Sequence, residues 1–188
     1  MMEDFDPGIF VGETVLDQST EAIELPLLPV RDTILFPRVA APLFVSRDKA
    51  IKAVEAAMAA NQRIAVFAQK PTTSQEPGIE DLFELGTEAA VGRIWRMPDQ
   101  TTSVFVQGRR RLRLLRITRT EPYLVAHVLP VLDAVENTLS TEALMRAVLT
   151  LFEKVVRLSR NIPDDAFVTA MNVNSPSWLA DLVASNLN

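Results

Sequence analysis

The chain has 188 residues, 48% of them hydrophobic, a net charge of −5 and no cysteine. That balance suits a folded chain with a real core and excludes a chain disordered as a whole, while the missing cysteine excludes disulfides, thiolate metal sites and cysteine nucleophiles. Overall acidity argues against a dedicated nucleic-acid binder, and the acidic start "MMEDFDPGIF", with no apolar run of membrane-spanning length, points to a soluble cytoplasmic protein.

Residues 1 to 22 lack sustained periodicity and read as a flexible acidic tail, so the fold begins near Ile23. "LPLLPVRDTILFPRVAAPLFV" (25 to 45) carries four prolines among large apolar residues. Proline lacks the N–H that a sheet ladder uses, so the stretch reads as two short strands of edge type joined by a connection from Arg31 to about Phe36. Ile34, Leu35 and Phe36 fall in that connection, as core plugs or as an exposed contact surface. Ser46 is placed to cap a helix with Ala50, Ile51, Val54, Ala57 and Met58 at helical spacing and Asn61 at its end. "RIAVFAQ" (63 to 69) is a strand, and 70 to 82 has the turn formers of a long loop.

From Thr87 the pattern is all β. "TEAAVGRIWRM" and "TTSVFVQ" flank the turn "PDQ" and form a hairpin with Met97 and Pro98 at its tip. Gly108 is expected to turn the chain into "RRRLRLLRITRT", where Leu112 and Leu114 lie on one phase and Leu115 and Ile117 on the other, a slip that a β-bulge produces. "YLVAHVLPV" adds a further strand. Six or seven strands with one early helix indicate a small, curled β domain of barrel type. After about residue 138, Leu144, Val148, Leu151, Val155 and Leu158 form the seam of a long helix, with Ser140 and Glu142 at its start. Pro163 and Ser175-Pro176 open two shorter helices, and the sequence stops in the last as the front part of something longer would.

Chemistry is scarce. No phosphate-binding G-x-x-x-x-G-K-[ST] loop or G-x-G-x-x-G turn is present, and His127 is the single histidine, so no histidine metal cluster can be assembled. Glu80-Asp81 and Asp164-Asp165 sit in loops or helix starts, where solvation and the helix dipole explain them. Arg109, Arg111 and Arg113 share one strand face, giving a positive stripe for phosphates or acidic chains, or a solvated face paired with acidic neighbours. No aromatic residues interleave as stacking platforms for nucleic acid.

Four blocks carry a resemblance: "ELPLLPVRDTILFPRVAAPLFVSRDKAIKAVEAAM" (24 to 58), "AVFAQK" (65 to 70), "EPGIEDLFELGTEAAVGRI" (76 to 94) and "VQGRRRLRLL" (106 to 115). Together they resemble the N-terminal, substrate-recognition domain of the Lon family of ATP-dependent proteases, and "NIPDDAF" and "SPSWLADLVASNL" are similar to the segments that precede that family's ATPase module. The resemblance implies an α+β fold: a PUA-like small β barrel with one early helix over 23 to 133, then a helical subdomain over 134 to 188 leading to an absent ATPase module. It also implies a chain without catalytic, metal or cofactor residues, since ATP, Mg and a Ser-Lys dyad belong to modules missing here. Implied partners are unfolded, damaged or degron-bearing proteins and the other subunits of a homohexamer, with no membrane.

Ile34, Leu35 and Phe36, with Met97 and Pro98, are then the candidate substrate contacts, because a reader of unfolded chains needs accessible apolar surface. Two competing functions follow from the same residues: an RNA-binding PUA-like module using Arg109, Arg111 and Arg113, or a stand-alone Lon-domain interaction protein.

Overall fold

A computed structural model describes residues 21–71, 77–97, 101–132 and 138–187. The expected tail apart from its last two residues, the middle of the 70 to 82 loop, the "PDQ" turn with Pro98, and the expected boundary at 133 to 134 lie wholly or partly outside them. The elements are β1 (Ile23–Val30), β2 (Ala40–Val45), α1 (Asp48–Ala59), β3 (Arg63–Ala68), β4 (Leu85–Arg96), β5 (Thr102–Arg119), β6 (Val125–Val131), α2 (Leu139–Leu158), α3 (Asp164–Met171) and α4 (Pro176–Asn186). None of these helices is long and apolar enough to cross a membrane.

The strands form one mixed sheet in the order β2-β5-β4-β3-β1-β6, and β5 also pairs with β6. The pairings β5–β4–β3–β1–β6–β5 therefore return to their start, while β2 stays outside the circuit as an edge strand bonded only to β5. The fold is a mixed α+β arrangement on a six-strand sheet, which corrects the expected small barrel: the extra strand on the outside prevents a regular one.

The prolines explain how β1 fits. β1 is not the edge strand that its prolines suggested, since its residues 23–26 pair with β6 and its residues 27–30 pair in parallel with β3. Apart from Leu27, whose N–H also donates to Leu124 O at 2.8 Å, each half has a ladder partner on one side only, so Pro26 and Pro29 each occupy a locally unpaired edge inside a strand that is central by order. Pro42 lies on the true edge strand, β2.

Both faces of β1 and β3 are covered. Leu28 and Val66 enter a core beneath α1 with Val54, Ile64 and Val104, whereas their neighbours Leu27 and Phe67 enter a second core with Leu82, Leu112 and Val128. Strand alternation sends consecutive residues to opposite faces, and here both faces are apolar. α1 starts one residue later than expected: Arg47, not Ser46, occupies the N-cap, and no side chain caps the helix.

Gly108 does not turn the chain. β5 runs through it as a strand of 18 residues, and the 31 to 39 connection lies across it, with Arg38 N–H donating to Gly108 O at 2.9 Å and Gly108 N–H to Val39 O at 2.8 Å. A Cβ at Gly108 would collide with the Phe36 carbonyl oxygen, so a glycine is required for this close approach. The expected bulge is present: the β5–β6 register shifts between Leu114 and Arg116.

The three C-terminal helices build their own apolar cluster around Phe152, Val156, Ala170 and Leu179. Local signals set their starts. Thr138 Oγ1 accepts from Thr141 N–H at the head of α2, Pro163 precedes α3, and Ser175 Oγ accepts from Trp178 N–H at the head of α4. The long-helix seam differs from expectation: Leu144, Val148, Leu151, Val155 and Leu158 face outward, and the adjacent face, through Met145, Leu149, Phe152 and Val156, packs on α3 and α4.

One buried carboxylate joins three strands. Glu88 on β4, 2% exposed, accepts from Arg63 on β3 at 2.7 Å and from Arg110 on β5 at 2.8 Å. Burial alone raises its pKa, but the hydrogen bonds and charges of Arg63 and Arg110 outweigh that effect and hold the carboxyl below the usual carboxylate range.

Gly108 and Glu88 should accordingly be sensitive positions. Gly108→Ala should cost about 2 kcal/mol, seen as a melting temperature lower by roughly 4–8 °C. Glu88→Gln should cost about 3 kcal/mol at neutral pH, because two partly buried guanidiniums lose their counter-charge. Since the folded pKa of Glu88 is depressed, its contribution is present above the ordinary carboxylate value and lost as pH falls through the depressed one. Urea titrations across acidic pH should therefore give the variant a shallower loss of stability on acidification.

Candidate functional site

The structure separates the three apolar residues of the β1–β2 connection. Ile34 is 52% exposed, Phe36 is half-buried, and Leu35 is in the core under α1. Leu35 is thereby removed from the candidate contacts: its carbonyl accepts a 2.6 Å hydrogen bond from Thr87 Oγ1, which pins this part of the connection against β4. Asp32 and Arg38 adopt positive φ on either side, which lets the chain reverse around the plug.

Met97 is exposed at the end of β4, where its N–H donates to Thr101 O at 2.8 Å and closes the hairpin; Pro98 lies outside the described residues. Thr101 and Gly108 are seven residues apart, about 23 Å at the rise of a strand. Met97 at one end of the β4–β5 ribbon and the Phe36 crossing near its middle are therefore well separated.

Another group does come together near Met97. Phe44 on β2 and Trp95 on β4 both pair with Ser103 of β5. Residues directly opposite in a sheet project to the same face, so Phe44 and Trp95 flank Ser103 on one side of the sheet. Phe44 is 72% exposed and Trp95 47%, while Ser103 between them is buried. The same phase carries Pro42, paired with half-buried Phe105, and Met97 two residues after Trp95. The result is an outward apolar face across β2, β5 and β4, formed by Pro42, Phe44, Trp95, Met97 and Phe105.

Sequence reasoning did not find Phe44. Within "PLFV" the buried residues are Leu43 and Val45, and Pro42 and Phe44 lie on the opposite phase. With apolar residues on both phases, the pattern had no polarity contrast to show which faces water.

The arginine stripe is largely engaged. Arg111 pairs with Asp181 of α4 at 2.5 Å, and Arg113 pairs with Glu84 at 3.0 Å. Asp181 is only 3% exposed, so its bond to Arg111 fastens the helices to the sheet from the side of β5. Arg38, over the Trp178 ring at 5.8 Å, adds a second contact between the same parts. Arg109 sits at the register shift between Glu88 and Ala89, as the residue of β5 left without a ladder partner.

The remaining polar candidates have local roles. Asp81 Oδ2 accepts from Gly78 N–H in a short 3-10 turn, Asp164 and Asp165 occupy the first turn of α3, and His127 lies within β6 opposite Glu24 and Arg116. Among the described residues no group of three or more His, Cys, Asp or Glu side chains is placed to hold a metal ion.

A mixed α+β module that exposes aromatic surface and spends its charged groups on internal ties has the character of a binding module. A family model described as the ATP-dependent protease La (LON) substrate-binding domain matches residues 24–188, and the chain belongs to this family. Among its relatives, Lon protease 2 of Herpetosiphon aurantiacus is 45% identical over 165 residues, covering 88% of this chain and 20% of that protein. Lon protease of Escherichia coli is 33% identical over 174 residues, covering 90% and 22%. The chain thus spans about a fifth of the length of these curated relatives. The fold is similar to the N-terminal domain of a Mycobacterium avium complex Lon protease, with a TM-score of 0.69 at 22% identity over 85% of this chain and 80% of that one. It is also similar to a Lon N-terminal domain protein from Xanthomonas campestris, with a TM-score of 0.53 at 15% identity over 87% and 98%.

The two ion pairs of the stripe should differ sharply in worth. Arg111→Met should cost about 3 kcal/mol, with faster amide exchange across α4, because its partner is buried. Arg113→Met should cost less than about 1 kcal/mol, because both members of that pair are solvated.

Proposed function

We propose that this chain holds unfolded, damaged or degron-bearing proteins for an ATP-dependent Lon-type protease, without itself cleaving them or hydrolysing nucleotide. The observation that carries this reading is the exposed apolar face around Phe44 and Trp95. An unfolded protein differs from a folded one chiefly in showing apolar and aromatic side chains, and a receptor tolerant of sequence meets them with apolar surface of its own. The family's description as a substrate-binding domain agrees with that chemistry.

The magnitudes suit a weak, repeated grip. Each side chain fully buried against a client is worth about 1.5–3 kcal/mol at most, before the cost of ordering the client. Useful retention then depends on several copies acting together, as in the homohexamer that the resemblance implies. The outward stripe of α2, from Leu144 to Leu158, is further apolar surface available for clients or for neighbouring subunits. The circuit of strands around β5 supports a kinship with PUA-like barrels, although β2 lies outside it.

RNA binding is the weaker reading. Arg111 and Arg113 already hold carboxylates, so engaging phosphates would require exchanging these partners. The two functions respond differently to salt, since neutralised phosphates release counterions and apolar contacts do not.

The test combines capture with stability. Phe44→Thr and Trp95→Thr keep residues suited to strands and remove the aromatic face. The pair of substitutions should weaken capture of a permanently unfolded, carboxymethylated protein about tenfold or more, and leave the melting temperature within a few degrees. Unchanged capture, or capture by the unaltered chain that collapses between low and moderate salt, would overturn the proposal.

A further inference from the structure

The 20 residues of α2, about 30 Å of helix, carry two separate apolar stripes. Met145, Leu149, Phe152 and Val156 form the inner one and pack against α3 and α4. Leu144, Val148, Leu151, Val155 and Leu158 form the outer one and are 36% to 86% exposed, so no other element among the described residues covers it.

The outer stripe has an order of its own. Its steps of four, three, four and three residues follow the repeat that keeps one face of a helix against a second helix. The residue types alternate with the steps: leucine at 144, 151 and 158, and β-branched valine at 148 and 155. In heptad terms the leucines are d positions and the valines a positions, the combination that favours two parallel strands. An unfolded client offers apolar groups at no fixed spacing and makes no use of this order. A helix with the same repeat does, and α2 of a second copy is such a helix.

The flanks of the seam fix how two copies fit. On one side Met145 and Phe152 are already packed in their own cluster, and on the other lie Ala147 and Lys154. The ion pairs of Arg146 with Glu142 and of Arg157 with Glu153 sit on the remaining, polar face, away from the seam. Antiparallel helices would bring both occupied flanks to the same side, where α3 and α4 of the two copies collide. Parallel helices, related by a two-fold axis along the seam, send the occupied flanks to opposite sides, each facing the open flank of the other copy. Lys154 then faces the second copy's Ser159, so no like charges meet. Each α2 is held beforehand by its own α3 and α4, so pairing has little left to order.

We infer that two copies of this chain associate through α2 as a parallel two-stranded coil, with Leu144, Val148, Leu151, Val155 and Leu158 at its core. This assigns the outer stripe to a neighbouring copy rather than to clients, and it holds whether or not the Phe44–Trp95 face captures them.

The test uses the 188-residue chain, which should sediment as a concentration-dependent dimer. Leu151→Gln/Leu158→Gln places good helix formers at exposed positions and should raise the dissociation constant about tenfold or more. Because the chain has no cysteine, single substitutions report the register. Val155→Cys should give a disulfide-linked dimer on air oxidation, since facing a positions of a parallel pair come within disulfide reach, and Arg146→Cys on the polar face should not.

A chain that stays monomeric at millimolar concentration overturns the inference, as does a dimer indifferent to Leu151→Gln/Leu158→Gln. A dimer that Val155→Cys does not link is not parallel, and one that Arg146→Cys links as readily is not specific; either result also overturns it. If the chain is monomeric yet captures the carboxymethylated protein, this inference falls and the substrate-binding reading stands. A specific dimer without capture removes that reading and leaves the inference in place.

Discussion

β5 must serve three partners with one backbone, and much of the fold answers to that constraint. Its residues 102–107 lie between β2 and β4, 111–113 lie between β4 and β6, and 114–119 pair with β6 alone. A straight ladder cannot bend through that change, so the register shifts twice against β4, at Arg109 and between Val91 and Ile94, and twice against β6, at Leu115 and at Thr118. Gly108 lies beside the first shift, where the missing side chain lets the β1–β2 connection cross the strand. The glycine that resembles a turn is therefore the point at which a long strand accepts a crossing chain.

Charge is used mostly for fastening. Glu88 ties β3, β4 and β5 together through Arg63 and Arg110, and Asp181 ties α4 to β5 through Arg111. Both carboxylates are almost fully buried, where breaking the pair is far costlier than at a solvated site. Three arginines in a row thus look like an electrostatic surface and act in large part as staples. Beside α1, Arg31 and Arg47 both donate to the side-chain oxygen of Gln69.

Apolar groups divide in a corresponding way. Two cores share the faces of β1 and β3, a third forms among the C-terminal helices, and the surplus appears outside as the Phe44–Trp95 face and the outer stripe of α2. Such surface can stay exposed because the chain's own cores are satisfied without it. The pinned Leu35 shows the same economy on a small scale, since one residue of the connection is plugged and fixed while its neighbour Ile34 faces water.

Local physics makes several features legible in the sequence itself. The starts of α3 and α4 follow from Pro163 and Ser175-Pro176, the bulge near Leu115 from a phase slip in an alternating pattern, and the mixed α+β character from the order of the periodicities. What stays hidden in the sequence depends on contacts between distant residues. That Gly108 is crossed, that Pro26 and Pro29 each sit in a half-paired part of a central strand, and that Arg111 meets Asp181 are facts about pairs far apart along the chain. Phe44 and Leu43 have the same apolar character, and so do the inner and outer stripes of α2. Hydrophobicity along a chain records how much surface must be covered, and only packing in three dimensions decides which side receives the cover.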